Sequence, residues 1–269
     1  MLGSAADAED VLQETWLRWS EVDQDDVRDE RAYLVRITTR LSLNRLRTMA
    51  RRREAYVGPW LPEPLLTTPD VADDVELADS VSTAMLLVLE TLAPTERAVF
   101  VLREVFDVPY DEIAEAIEKS PAAVRQIAHR ARSHVESRRP RSSVTAAERD
   151  AVLQRFSAAA TTGDIQGLMD VLAPDVVLLT DGGGFKKAAL RPIHGRDKVV
   201  RFVSAVAGGG GERADIIVVN GAPALRFWIA GEIDTVLSIL MDGGTVTALY
   251  AVRNPEKLRA LDREVALER

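Results

Sequence analysis

The chain has 269 residues, close to two domains at roughly 150 residues each, and its 46% apolar content at mean hydropathy −0.05 supplies a core to each half and excludes wholesale disorder. No apolar run approaches the roughly 20 residues that cross a bilayer, and no basic-then-apolar leader opens the chain, so a soluble, cytoplasmic protein is expected. The absence of cysteine excludes disulfides and thiolate sites, three histidines argue against a metal centre, and no cofactor is expected; a net charge of −8, taken alone, argues against nucleic acid.

That net charge is unevenly distributed. Residues 1–30 carry −8, but residues 31–56 hold eight arginines against Glu54, a balance of +7. Residues 57–96 return to −8, and residues 120–141 form a second basic island of +5. Exposed charges are screened within about 8–10 Å, so a partner meets each island locally. Fourteen of the 16 glycines fall between Gly163 and Gly244, separating a helical first half from a strand-rich second half.

Ser4 is placed to cap a first helix, with acids near its positive end. Val11, Leu12, Thr15, Trp16 and Trp19 share one face of it, and both core and partner-binding roles are open to the two tryptophans. Asp7, Glu9, Asp10 and Glu14 face the other way and suit a basic partner. From Arg31 to Arg53, Leu34, Val35, Ile37, Leu41, Leu46 and Met49 describe a buried stripe, while Arg36, Arg40, Asn44, Arg47 and Arg51 form a ridge at helical spacing. With Arg45, Arg52 and Arg53 added, the ridge lacks the acidic neighbours of an ordinary solvated face, and phosphate binding is the better explanation. Asn44, which can donate and accept at once, is the base-edge reader of the set.

Four prolines between Val57 and Pro69, followed by acidic residues 70–79, mark a linker, in which Trp60 and Leu61 form an apolar anchor between helix breakers. A helix over Ala84–Leu92 and another from Pro94 through Val99, Leu102 and Phe106 precede a turn at Asp107-Val108-Pro109. Tyr110–Ile117 then leads to Ser120, an N-cap, and Pro121, the first residue of a further helix. Two short helices joined by a tight turn make a helix-turn-helix. In the second of them Val124, Ile127, Ala128, Ala131 and Val135 point inward, leaving Arg125, Gln126, His129, Arg130 and Arg132 to face a DNA groove.

The run Asp7-Ala8-Glu9-Asp10-Val11-Leu12-Gln13-Glu14-Thr15-Trp16, the Arg31–Arg53 helix, the proline-rich linker and the segment from Tyr110 through Arg132 together resemble the extracytoplasmic-function (ECF) sigma factors. The resemblance implies that Asp10, Gln13, Glu14, Trp16 and Trp19 bind core RNA polymerase. It implies that Arg36, Arg40, Asn44, Arg45, Arg47, Arg51 and Arg52 face the −10 element, and that Ser120, Arg125, Gln126, His129, Arg130 and Arg132 face the −35 element. Met1-Leu2-Gly3-Ser4 lies, in typical members, inside the first domain after a further helical segment, so a first module short at its amino terminus is expected.

In the second half, Thr145-Ala146-Ala147-Glu148 is a capping box opening a helix, and a short helix follows around Gln166–Leu172. Strand patterns cover Val176–Thr180, Asp215–Val219, Ala224–Ile229, Thr235–Met241 and Thr245–Val252, with a helix over Asp197–Val206. This order, with His194-Gly195-Arg196-Asp197, resembles a SnoaL-like α+β cone with a curved antiparallel sheet. The expected architecture is thus multidomain: two all-α modules at 1–56 and 83–139, a linker at 57–82, and the cone at 145–269. A pocket-forming fold admits a small-molecule ligand, and Asp181, His194, Asp234 and Tyr250 supply the residue types of SnoaL-type catalysis, although Asp181 followed by three glycines is more often a turn.

Three short signatures resemble the ECF subgroup that carries such an extension. They are Trp60-Leu61-Pro62-Glu63-Pro64, Asp181-Gly182-Gly183-Gly184 and Asn254-Pro255-Glu256-Lys257-Leu258; Phe185 stands between the glycines and Lys186, where the subgroup runs directly into lysine. This likeness implies a fused regulator contacting the linker and the sigma modules, with no need for a separate anti-sigma factor. The expected function is a non-enzymatic sigma factor that binds core polymerase and promoter DNA. Two alternatives are a ligand-responsive helix-turn-helix regulator and a SnoaL-type isomerase or cyclase fused to a DNA-binding module.

Overall fold

The computed structural model describes residues 1–67, 82–138, 145–207 and 213–262. The chain divides into two compact units, one made of Met1–Ala55 with Met85–Arg139 and the other of Tyr56–Ala84 with Pro140–Glu268.

In the first unit, α1 (Ala5–Ser20) starts where the Ser4 hydroxyl accepts the Asp7 amide, and α2 (Glu30–Glu54) runs for about 37 Å at 1.5 Å per residue. Leu2, Val11, Leu41, Leu46 and Met49 make their shared core, and the Thr15 hydroxyl donates back to the Val11 carbonyl. After α3 (Thr83–Glu90), Pro94 opens α4 (Pro94–Phe100), which widens into a π-helical turn over Val101–Val105. The expected helix through Phe106 therefore stops one residue short, and Phe106 is exposed. α5 (Tyr110–Ile117) ends at Glu118 in the left-handed conformation (φ 55°), and α6 (Pro121–Glu136) begins with the Ser120 hydroxyl accepting the Ala123 amide. Val124, Ile127, Ala128, Ala131 and Val135 are buried, as their spacing predicts. Val35 of α2 packs into the same apolar cluster as Val99, Val108, Ile113 and Val124.

The second unit begins its globular part with α7 (Ala146–Thr162), whose capping box pairs Thr145 with Glu148 and whose exit is Gly163 at φ 71°. α8 (Ile165–Val171) leads directly into β1 (Leu172–Asp181); β2 (Ile193–His194) and α9 (Arg196–Ala207) follow. Then come β3 (Arg213–Val219), β4 (Ala222–Ile229), β5 (Glu232–Asp242), β6 (Thr245–Val252) and the short α10 (Pro255–Leu258). The sheet order is β2-β1-β6-β5-β4-β3. Its pairs are antiparallel except β1 with β6, which run parallel, so the sheet is mixed where an antiparallel one is expected. The physical reason is connectivity: β1 and β6 are joined through the rest of the domain and not by a hairpin.

Side chains alternate across this sheet. Leu178, Leu225, Leu237 and Leu249 face a core shared with Leu153, Phe156, Leu168, Val199 and Val200 of the helices. Tyr250, between Leu249 and Ala251, and Ser238, between Leu237 and Ile239, take the opposite face and lie in register with each other. The linker belongs to this unit. Leu66 bridges Val219 on the edge strand β3, with the Thr67 amide donating to the Val218 carbonyl at 3.0 Å and the Asn220 amide to Leu65 at 2.9 Å. At the linker's other end, the Thr83 hydroxyl donates to Ser238. The acidic stretch 70–79 lies outside the described residues.

Candidate nucleic-acid interface and linker clasp

α6 presents Arg125, Gln126, His129 and Arg130 as exposed side chains, because the five inward residues fix its rotation on the core. Arg132 differs from its neighbours. It forms a bidentate pair with Glu104 at 2.6 and 3.2 Å, tying the helix to the π-helical turn, so it orients α6 more than it reaches outward. Tyr110, at the start of α5, lies under the guanidinium groups of both Arg103 and Arg125.

The α2 ridge has partners that its sequence neighbourhood does not reveal. Arg45 donates to Asp7 and to Asp10 (2.6 Å), so two acids expected to face outward are held by an arginine expected to face DNA. Arg40 reaches the Glu118 carboxylate at 2.9 Å and the carbonyls of Ala116 and Glu115. Arg53 pairs with Glu90, which also holds Arg97 through two bonds of 2.9 Å; burial lowers both guanidinium pKa values to about 10. The absence of acidic partners one turn away along the helix does not leave these arginines unpaired: acids of α1, of α3 and of the residue that ends α5, all far away in sequence, meet Arg45, Arg53 and Arg40. Arg36 stacks on Tyr33, and Asn44, exposed, accepts from Arg47. The side chains of Arg51 and Arg52 lie outside the described residues.

On α1 the apolar face divides. Val11 and Thr15 are buried, while Trp16 is 67% exposed beside exposed Leu12 and Leu17; Trp19 is half-buried against Tyr33. Gln13 and Glu14 are also exposed, with Glu14 paired to Arg18. An exposed tryptophan flanked by two leucines is the composition of an interaction surface.

The three signatures converge on one buried cluster in the second unit. Asp181, at the end of β1, is 0% exposed. Its Oδ1 accepts from the Tyr56 hydroxyl (2.6 Å) and the Gly183 amide (3.1 Å), and its Oδ2 from the Leu61 amide (2.8 Å) and the Lys257 ammonium (2.7 Å). Lys257 also donates to the Leu61 carbonyl and lies over the Trp60 ring, 4.1 Å from its centroid. Asn254 caps α10 and donates to the Tyr56 oxygen. Burial and the bond to Asp181 both push the Tyr56 pKa upward, so the phenol remains a donor. Leu61, Pro62 and Pro64 are buried, and Trp60 and Glu63 half-buried. The apolar anchor is therefore docked, and on the cone. Tyr56 and Asn220 complete the clasp; Asn220 accepts from the Leu65 amide and donates to the Glu63 carbonyl. The sequence reading missed both residues; the Asn-Gly pair at Asn220-Gly221 is the hairpin signal that could have found the first, whereas nothing local marks Tyr56.

Two of the three glycines are sterically required. A Cβ on Gly182 would run into the Lys186 carbonyl oxygen, and Gly183, at φ 62°, packs on the Asn254 amide. Lys186, one position late, pairs with Asp234 at 2.7 Å, and Arg253 holds the other side of Asp234. The candidate catalytic types are thereby accounted for differently. Both Asp181 oxygens are occupied, Asp234 is tied to two cations, Tyr250 is buried on the sheet face away from the helices, and His194 is exposed on the edge strand β2.

Residues 1–53 match Sigma-70 region 2, and residues 82–135 match Sigma-70, region 4. ECF RNA polymerase sigma factor SigJ of Mycobacterium tuberculosis (strain ATCC 25618 / H37Rv) is 38% identical over 96% of this chain and 87% of its own length. Probable ECF RNA polymerase sigma factor SigI of Mycobacterium tuberculosis (strain CDC 1551 / Oshkosh) is 32% identical over 98% of this chain and 91% of its own. The crystal structure of Mycobacterium tuberculosis SigJ superposes with a TM-score of 0.74 at 33% identity, covering 96% of this chain and 92% of that one. Sigma factors bind core RNA polymerase and promoter DNA and are not enzymes. The order of modules, the likeness along nearly the whole length and the shared fold place this chain among the ECF RNA polymerase sigma factors, with a SnoaL-like domain behind its region 2 and region 4 modules.

Proposed function

We propose that this chain directs promoter-specific initiation by core RNA polymerase, with α1 docking on polymerase through Trp16, Leu12 and Leu17, the α2 ridge meeting the −10 element and α6 the −35 element. In this reading Asn44, Gln126 and His129 read base edges, and the arginines hold phosphates. The modules span residues 1–56 and 83–139, the tether 57–82 and the regulatory cone 145–269.

The SnoaL-like cone regulates by holding the tether. The observation that carries this is the Asp181 cluster, which binds Tyr56, the residue just before the tether, and Leu61 within it, together with the Thr83–Ser238 bond just past its far end. A tether fixed at both ends restricts the separation available to the modules it joins. A regulator fused in this way replaces a separate anti-sigma factor, and a small molecule that alters the cone would act on the tether.

The test is run-off transcription with core polymerase and a cognate promoter, comparing the full chain with chains ending at about Arg141 and just before Asn254. The reading expects promoter-specific transcripts from the full chain and altered output from the two shortened ones. Equal output from all three removes the regulatory role, and absence of promoter-dependent transcripts removes the sigma reading.

A further inference from the structure

The last turn of α5 offers Arg40 a set of oxygens like those of a DNA phosphate. The guanidinium Nε donates to the Ala116 carbonyl at 3.2 Å and Nη2 to the Glu115 carbonyl at 3.4 Å, while Nη2 lies 2.9 Å from the Glu118 carboxylate. Those carbonyls close a helix whose dipole places partial negative charge there, and Glu118 is turned beside them by its left-handed backbone (φ 55°). Two further contacts hold α2 against the same module. Arg31 pairs with Glu112 at 3.2 Å, and Val35 enters the apolar cluster of Val99, Val108, Ile113 and Val124. A third lies at the end of α2, where Arg53 shares the buried Glu90 carboxylate with Arg97.

We infer that the α5 C-terminus is an internal phosphate surrogate: it occupies Arg40 in the free chain, so that the second module covers part of the −10 ridge directly, while the reading face of α6 stays exposed. The inference rests on the reading of α2 as the −10 ridge. Arg40 cannot hold the α5 carbonyls and a promoter phosphate at once, so DNA and the second module compete for it. Release of α5 from α2 frees Arg40 for a promoter phosphate.

The absence of cysteine permits a direct test. Ala50→Cys on α2 and Glu136→Cys on α6, both exposed, carry a fluorophore pair in the otherwise full chain. Glu112→Lys with Glu118→Lys opposes Arg31 and Arg40 with like charge, and Glu21→Lys with Asp23→Lys, at exposed sites, adds the same charge elsewhere. The α5 variant should show lower energy transfer than the control without polymerase. It should also bind a promoter duplex about fivefold more tightly than the control, the factor expected from losing one or two exposed ion pairs. Either unchanged transfer or equal duplex affinity overturns the surrogate. Run-off with Arg40→Ala separates this from failure of the underlying reading: if initiation falls while transfer in the α5 variant is unchanged, the ridge reading stands and the surrogate fails. If Arg40→Ala leaves initiation unchanged, the ridge reading fails whatever the fluorophores report.

Discussion

Asp181→Asn removes one charge from the clasp while keeping the shape of the side chain, and the geometry makes the substitution severe. Oδ1 accepts from Tyr56 and Gly183, and Oδ2 from Leu61 and Lys257, so every neighbour is a donor. Whichever way the new amide turns, its NH2 group meets two donors, and the Lys257 ammonium, 6% exposed, loses its counter-charge. Removing one partner of a buried ion pair costs about 3–5 kcal/mol, a large part of the roughly 5–15 kcal/mol that holds a domain folded. For a unit of this size, at about 2–4 °C per kcal/mol, that corresponds to a fall in Tm of about 6–20 °C. Lys257→Met alone should cost a similar amount. The double variant should cost less than the two singles together, with a coupling of about 1–3 kcal/mol, because it removes the charge and its counter-charge at once. The assay is urea unfolding followed by fluorescence of Trp60, whose ring lies against Lys257, with the other tryptophans replaced by phenylalanine. A cost below about 1 kcal/mol for Asp181→Asn, or strictly additive singles, would refute the reasoning.

Gly182→Ala should destabilise the second unit by about 1–3 kcal/mol, since its Cβ meets the Lys186 backbone, which cannot yield as a side chain could; Gly184→Ala, whose Cβ would sit at ordinary contact distance from Val57, should cost less despite its φ of 81°. Thermal melts of the two variants rank them. Trp16→Ala should leave stability within about 0.5 kcal/mol, because the ring is 67% exposed, yet weaken binding to core polymerase measured by interferometry. Alkaline pH supplies another check. Burial raises the Tyr250 pKa to about 12, above the value near 10 of an unfolded tyrosine, so between pH 10 and 12 the unfolded chain has released a proton that the native chain keeps. Stability should therefore fall as pH rises through that window, by roughly 2–3 kcal/mol for this residue, and Tyr250→Phe should flatten the slope of the urea midpoint against pH.

Much of the first unit was legible because its signals are local. Ser4, Ser120 and Pro94 mark helix starts by side-chain and ring chemistry that acts within three residues, and the α6 stripe follows from a period of 3.6. β2 was not legible: a two-residue strand has too short a pattern to stand out from a loop. The parallel pairing of β1 with β6 escaped for another reason, since nothing in either strand specifies the direction of a neighbour distant in the chain. The ridge on α2 was found, but the roles of its arginines were not separable, because Arg45, Arg40 and Arg53 differ only in what lies opposite them.

The sequence by itself determined that the chain holds two basic helical modules, a proline-stiffened tether and a strand-rich domain, since caps, periodicity, charge and composition are properties of neighbouring residues. Only the tertiary structure decided what three separate signatures do together. Trp60 to Pro64, Asp181 to Gly184 and Asn254 to Leu258 converge on one carboxylate, and a buried charge must collect its donors wherever the fold brings them. Asp181, which read as either a base or a turn residue, is fixed by that requirement as the pin that joins the tether to the cone.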